Sequence, residues 1–354
     1  GWKLEPSGIK TNLYDLWGPS WTDVYGVGMD GAIAHFNGSG WQIQQSKVTS
    51  TLRSVHGVDG QLWAVGDAGT VAHFAGVGWE ELEYNKNNNL EGVWASAQTF
   101  VVVVGEYTID LWDGAIWSKM PGSTGHRFHA VWGVNPQNIW AVGDFGKIVR
   151  YTNGMWNTEA SPVSNTLRDI WGTSPSNIWA VGDGGTVIHY DGTEWLVAES
   201  GTLISLQGIW GSDEDNIYFA GSKGLVLHYD GETITNESLP NNEQDLLAIF
   251  GSQEADLVLA SGNHQVVLGP FVTPVTLVYP QEGAVIDQQY LQWQANAGGP
   301  DASFNNVLLQ QPGMMGPVLF WDFMAAGDVT YVDLPDFPNI EGTPGVPPGF
   351  YIYT

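Results

Sequence analysis

Four histidines, His35, His73, His189 and His228, recur at one place in the internal pattern of the chain, each directly before an aromatic residue. Leu111 and Arg150 hold that place in two other copies. Histidine is a common metal ligand and titrates near neutral pH. A shared ion would need these rings to converge, and Leu and Arg are foreign to a ligand set, so a structural role is expected. Asp67, Asp144 and Asp183 sit in hairpin turns, and Asp213-Glu214-Asp215 forms an acidic run. Calcium takes oxygen ligands converging from one loop, which makes Asp213 and Asp215 weak calcium candidates. The spacing of a calcium loop is missing, so the expectation is no metal and no cofactor.

Hydrolytic chemistry finds little support. Paired carboxylates can cleave glycosidic bonds, but 38 Asp and Glu make every pair non-specific. The four arginines, Arg53, Arg127, Arg150 and Arg168, come from different repeats and slots. No nucleophile elbow, phosphate loop or zinc motif occurs. No catalytic residue is nominated, and the chain reads as a non-enzyme. Binding chemistry has better candidates in Trp21, Tyr84, Tyr107, Phe128 and Phe145, aromatics that break the repeat in or near loops. Aromatic faces beside Asn and Asp suit a peptide or a sugar ring. The plainer reading is that they cover the edges of repeat units.

The elements that carry these residues are set by repetition. Trp17, His56, Trp94, Trp132, Trp171, Trp210 and Phe250 stand before a glycine or small residue at intervals of 38 to 40 residues. Within a unit, short Val/Ile/Trp-rich runs such as 167–171, 178–181 and 186–190 are separated by turn residues. Gly-Asp-x-Gly at 66–69, 143–146 and 182–185 supplies the positive φ of a tight hairpin. An Asp-Gly turn then leads to a fourth run at Trp41, Trp79, Trp117, Trp156 and Trp195. Four short strands repeated seven times predict an all-β, seven-bladed β-propeller over residues 1–271. The seventh unit lacks its fourth run, and Gly1-Trp2-Lys3-Leu4 supplies it, so the N-terminal strand is expected to close the last blade and remove an open edge.

The net charge of −27 comes from a shortage of bases, 11 Lys and Arg in 354 residues. Beyond Lys223 there are none. Such a surface repels phosphate backbones and anionic bilayers, which argues against nucleic acid and membrane insertion. The absence of Cys rules out disulfides and thiolate sites. An acidic, Trp-rich β protein without Cys fits a protein exported from a bacterium, extracellular or at the cell surface. The start at Gly1 fits a processed or trimmed form.

After Pro270 the repeat stops. Residues 272–354 carry short strand-like runs, with Trp293 on the second and Gly-Phe-Tyr-Ile-Tyr near the end. This region resembles a fibronectin type III-like β-sandwich that lacks its last strand. The strand is expected beyond Thr354, or else from a neighbour in trans.

The Trp-Gly, Trp-Ala-Val-Gly-Asp and His-Tyr-Asp-Gly-x-x-Trp phrases over 13–271 resemble bacterial secreted propeller repeats of the tectonin and photosystem-assembly-factor/BNR-like groups. The sialidase-type Ser-x-Asp-x-Gly-x-Thr-Trp box is only echoed by Gly-Asp-x-Gly-Thr-Val at Gly66 and Gly182. The resemblance implies the fold. The leading expectation is a binding or scaffold protein that docks a protein partner or surface assembly. The alternatives are a tectonin-type glycan-binding lectin and a glycan-active hydrolase.

Overall fold

The computed structural model describes residues 2–5, 7–122, 125–238, 241–252, 257–262 and 265–269, with short strand backbones beyond Pro270. The chain divides into two compact units, Gly1–Pro270 and Phe271–Thr354. Apart from those strand backbones, the sandwich expected over 272–354 lies outside the described residues.

The first unit contains seven four-stranded antiparallel sheets. The fifth is representative, with strands Leu167–Ser174, Asn177–Gly182, Val187–Tyr190 and Trp195–Ala198 in that spatial order. In the last sheet Leu246–Ser252, Leu257–Gly262 and Gln265–Gly269 are completed by Lys3–Glu5, with Lys3 opposite Leu268. The N-terminal strand therefore closes the ring, and Trp2 beside it is buried against Tyr218 of the preceding blade.

Packing explains the repeated Trp-Gly. The indole of Trp171 lies so close to Gly211 of the next blade that a Cβ there would meet the ring at 2.5 Å. The same fit joins Trp17 to Gly57 and Trp210 to Gly251. Each inner strand thus offers a large ring forward and a bare backbone backward. Hydrogen bonds tie neighbouring inner strands as well. The Asp15 carboxylate accepts from the N–H groups of Leu16 and Val55, and Asp169 accepts from Ile170 and Ile209. Ser54 Oγ accepts from Val93, and His56 Nδ1 accepts from Ala95.

The recurring histidines are part of this framework. His189 stacks on Trp179 and bonds Asn177 Oδ1 at 2.7 Å through Nε2. His35 does the same with Tyr25 and Asp23, His73 with Trp63 and Gln61, and His228 with Tyr218 and Asn216. Arg150 substitutes by lying over Trp140 and donating to Asn138. Each slot fastens the third strand to the start of the second. The four rings serve four separate blades. No helix among the described residues is long and apolar enough to cross a membrane.

Candidate functional site at the channel mouth

One face of the ring collects three kinds of segment: the start of each inner strand, the turn between second and third strands, and the link to the next blade. The Gly-Asp-x-Gly turn belongs here for a steric reason. Its last glycine, Gly69 in the second blade, has φ +72°, and a Cβ on it would fall 1.9 Å from the Lys86 carbonyl of the link. Equivalent glycines meet Val163 and Thr202 in the same way. The turn therefore presses its backbone on the link and holds its third residue, the variable one, outward.

At the centre of this face the second residue of each inner strand lines a cavity of about 130 Å³: Tyr14, Arg53, Glu91, His129, Arg168, Gln207 and Leu247. All seven blades contribute once. The turn aspartates hold three of these side chains: Arg53 Nε donates to Asp67 at 2.6 Å, His129 Nε2 is 2.7 Å from Asp144, and Arg168 Nε donates to Asp183 at 2.8 Å. Arg127 reaches the same cluster, bonding Glu91 and approaching Glu106 at 3.8 Å. Three of the four arginines in a strongly acidic chain thus stand at this mouth. Each is paired, so the mouth is a mixed-charge ring of preset geometry whose charges can exchange partners with a ligand.

Beside this ring two aromatic side chains project into solvent. Tyr107, in the turn after Gly105, and Phe145, in the turn after Gly143, are 65% and 84% exposed. Both have φ +58°. An L residue pays about 1–2 kcal/mol for that left-handed conformation. Gly184 stands at this place in the fifth blade, with φ +67°. Ala68 and Lys223 hold it in the second and sixth. Among the described turns, only those of the third and fourth blades carry a large ring at this strained place, and Arg127 and Glu106 lie between those two turns.

The other aromatics selected from sequence are placed elsewhere. Phe128 has no exposed surface and lies in the core between the third and fourth blades. It occupies the slot of Leu13, Leu52, Leu90 and Leu167, so it continues the repeat and is no ligand contact. Tyr84 is buried too, its hydroxyl bonded to Asp110. Lys86 Nζ and Thr108 Oγ1 also donate to that carboxylate, each at 2.6 Å, and burial pushes the Tyr84 phenol above its ordinary range. This cluster anchors the link of the third blade. Trp21 lies on the opposite face, half-buried against Phe36.

Asp213 and Asp215 form a turn: Asp213 Oδ1 accepts from the Asp215 N–H at 3.0 Å and Oδ2 from Ser212. Among the described residues no group of three or more His, Cys, Asp or Glu side chains could hold a metal ion. On the residue after Tyr14 and after Arg168, the inner strands carry the buried carboxyls Asp15 and Asp169. Burial lifts the Asp15 carboxyl to about 6, and burial together with the Asp15 charge lifts Asp169 to about 7.

No protein-family model matches the chain, and no curated protein matches it. Solved structures do. YCF48 bound to a D1 peptide superposes with a TM-score of 0.63 at 15% identity, over 75% of this chain and 95% of that one. YCF48 from Cyanidioschyzon merolae gives 0.62 at 16%, over 75% and 98%. The WD40 propeller domain of Doa1 gives 0.62 at 13%, over 76% and 96%.

The first unit is a seven-bladed β-propeller.

At these identities the likeness speaks for the fold. The charged ring of the propeller's mouth was not visible in sequence because it is built from the slot that varies, whereas Tyr107 and Phe145 stood out as aromatics that break the repeat. The signal that could have exposed it is alignment of the residue after each inner-strand Leu or Phe.

Proposed function

We propose that this propeller is a non-catalytic, protein-binding scaffold that receives its partner on the channel-mouth face. The observation that carries this reading is the pair Tyr107 and Phe145, two large exposed rings held at left-handed turn positions in adjacent blades. Strained residues persist where surrounding structure fixes them, and they concentrate at functional sites. Exposed aromatics beside arginine are the composition of an interface hot spot. A peptide-bound structure of a propeller with this fold, YCF48 with its D1 peptide, supports the class of ligand. The acidic, cysteine-free composition supports an exported, extracellular or surface-associated protein, in which the ring presents a bound chain.

The test is selection of peptides from a displayed random library on the full chain, followed by titration of the selected sequences against Tyr107→Ser/Phe145→Ser. The expected result is a weakening of at least tenfold, with no change for Val77→Ser on the other face. A library that yields no peptide weakened by the double variant would overturn the reading. A glycan array bound in place of peptides, and lost in the same variant, would move the assignment to a lectin.

A further inference from the structure

A second surface lies at the rim of the fifth blade, outward of the charged ring, where the blade's edge meets the turn and link segments of the mouth face. The outermost strand of a blade ends its sheet, so one row of its N–H and C=O groups has no neighbouring strand. Such edges invite another strand and are commonly guarded by charge. The second blade guards its edge with Glu80 and Glu81, the third with Ser118 and Lys119, and the fourth with Asn157 and Thr158. The fifth blade has Trp195-Leu-Val-Ala198. Leu196 and Val197 are 46% and 59% exposed. Next to this edge lies an open groove of about 450 Å³, lined by Val163, Val197, Ala198 and Leu203 together with the backbone of Gly184 and Gly185. Leu203 stands 88% exposed at its lip.

The ends of the edge are acidic. Glu194 precedes the strand and Glu199 follows it, both exposed, with Asp191 in the adjoining turn. A second copy of this edge would set like charges against one another, which is costly when strands pair directly.

We propose that the outer strand of the fifth blade receives an extended protein segment by β-strand addition, and that this segment alternates apolar residues and carries Lys or Arg at both ends. Main-chain hydrogen bonds would supply affinity, while Val197, Leu203 and the groove take every second side chain of the guest. Glu194 and Glu199 fix the charge of its ends. Neither Tyr107 nor Phe145 lines the groove, so a propeller could hold one partner at its mouth and another at its rim.

The probe is the peptide acetyl-Lys-Val-Thr-Val-Thr-Val-Lys-amide, compared with the same sequence carrying Glu at both ends, titrated on the full chain. Amide exchange is read in parallel. The expected result is at least tenfold tighter binding of the Lys-ended peptide, with slowed exchange confined to Leu196–Ala198. Val197→Lys should abolish binding; this side chain is solvent-facing, and an unchanged melting temperature verifies the fold. Tyr107→Ser/Phe145→Ser should leave rim binding intact, which separates this proposal from the one for the mouth. No binding of the Lys-ended peptide, equal binding of both peptides, or protection elsewhere would overturn it. So would sedimentation showing a dimer that Val197→Lys dissociates, because the occupant would then be a second copy.

Discussion

Tyr107 and Phe145 occupy the same turn position in neighbouring blades, with the same φ of +58°, and the bridge between Glu106 and Arg127 lies between their turns. Conformational strain and surface exposure therefore coincide at one place on the ring. Replacing Phe145 by glycine should relieve the backbone and raise stability by up to about 1 kcal/mol, since the side chain gives up little buried area. The same change should weaken peptide binding at the mouth. Thermal melts and titrations of Phe145→Gly would test both, and a variant that is less stable would contradict the account of the turn.

Phe128 and Tyr84 should behave in the opposite manner. Phe128→Ala removes a fully buried ring and should cost about 3–5 kcal/mol in urea unfolding. Tyr84→Phe removes one of three donors to Asp110 and should cost about 1–3 kcal/mol, leaving ligand binding at the mouth unaltered.

The channel acids set a pH dependence. Asp169 has its carboxyl raised to about 7 and Asp15 to about 6, so between their ordinary range and those values the folded chain keeps protons that the unfolded chain has released. Stability from these groups is present at low pH and is lost as pH rises through about 6 to 7. His56 acts in the reverse sense: burial lowers it to about 4, so stability falls as pH drops from 6.5 toward that value. Above pH 6.5 only the acids contribute, and wild-type melting temperature should decline there. Asp169→Asn cannot accept from both Ile170 and Ile209, so it should be less stable than wild type in acid. That deficit should narrow steadily up to about pH 8, by an amount on the order of a few kcal/mol. A constant deficit across the range would show that Asp169 stays ionised.

Removal of residues 1–5 deletes the strand opposite 266–268 and the buried Trp2. The seventh blade would then expose the edge of Gln265–Gly269, and the melting temperature should fall by several degrees, with association of the truncated chain visible by light scattering. A monomeric ring of unchanged stability would argue against closure by this strand.

The blades were legible because their signal is doubly periodic. Short apolar runs such as Ile178-Trp-Ala-Val181, bounded by turn residues, give strands, and the recurrence of Trp171 and its counterparts gives the ring. The misplacement of Phe128 came from reading an aromatic as a break, although its alignment with Leu167 marks it as core. Tyr84 could not be placed by pattern, since its partner Asp110 is 26 residues away and occurs in one blade. The mouth was hidden for a different reason: Tyr14, Arg53, Glu91, His129 and Gln207 share a slot without sharing a residue type, and only the ring brings that slot to a common centre. Tyr107 and Phe145 were found as aromatics, but their equivalence rests on the turn that holds both.

The pairing of Lys3–Glu5 with Gln265–Gly269 also bears on how the chain is made. Six blades draw all four strands from nearby sequence and can form in order as they leave the ribosome or cross a membrane. The seventh waits with its first-made strand unpaired until the last of the ring emerges. Until then the nascent ring is an open arc with both terminal sheets unsealed, which is the interval in which a chaperone or a neighbouring chain would find it most receptive.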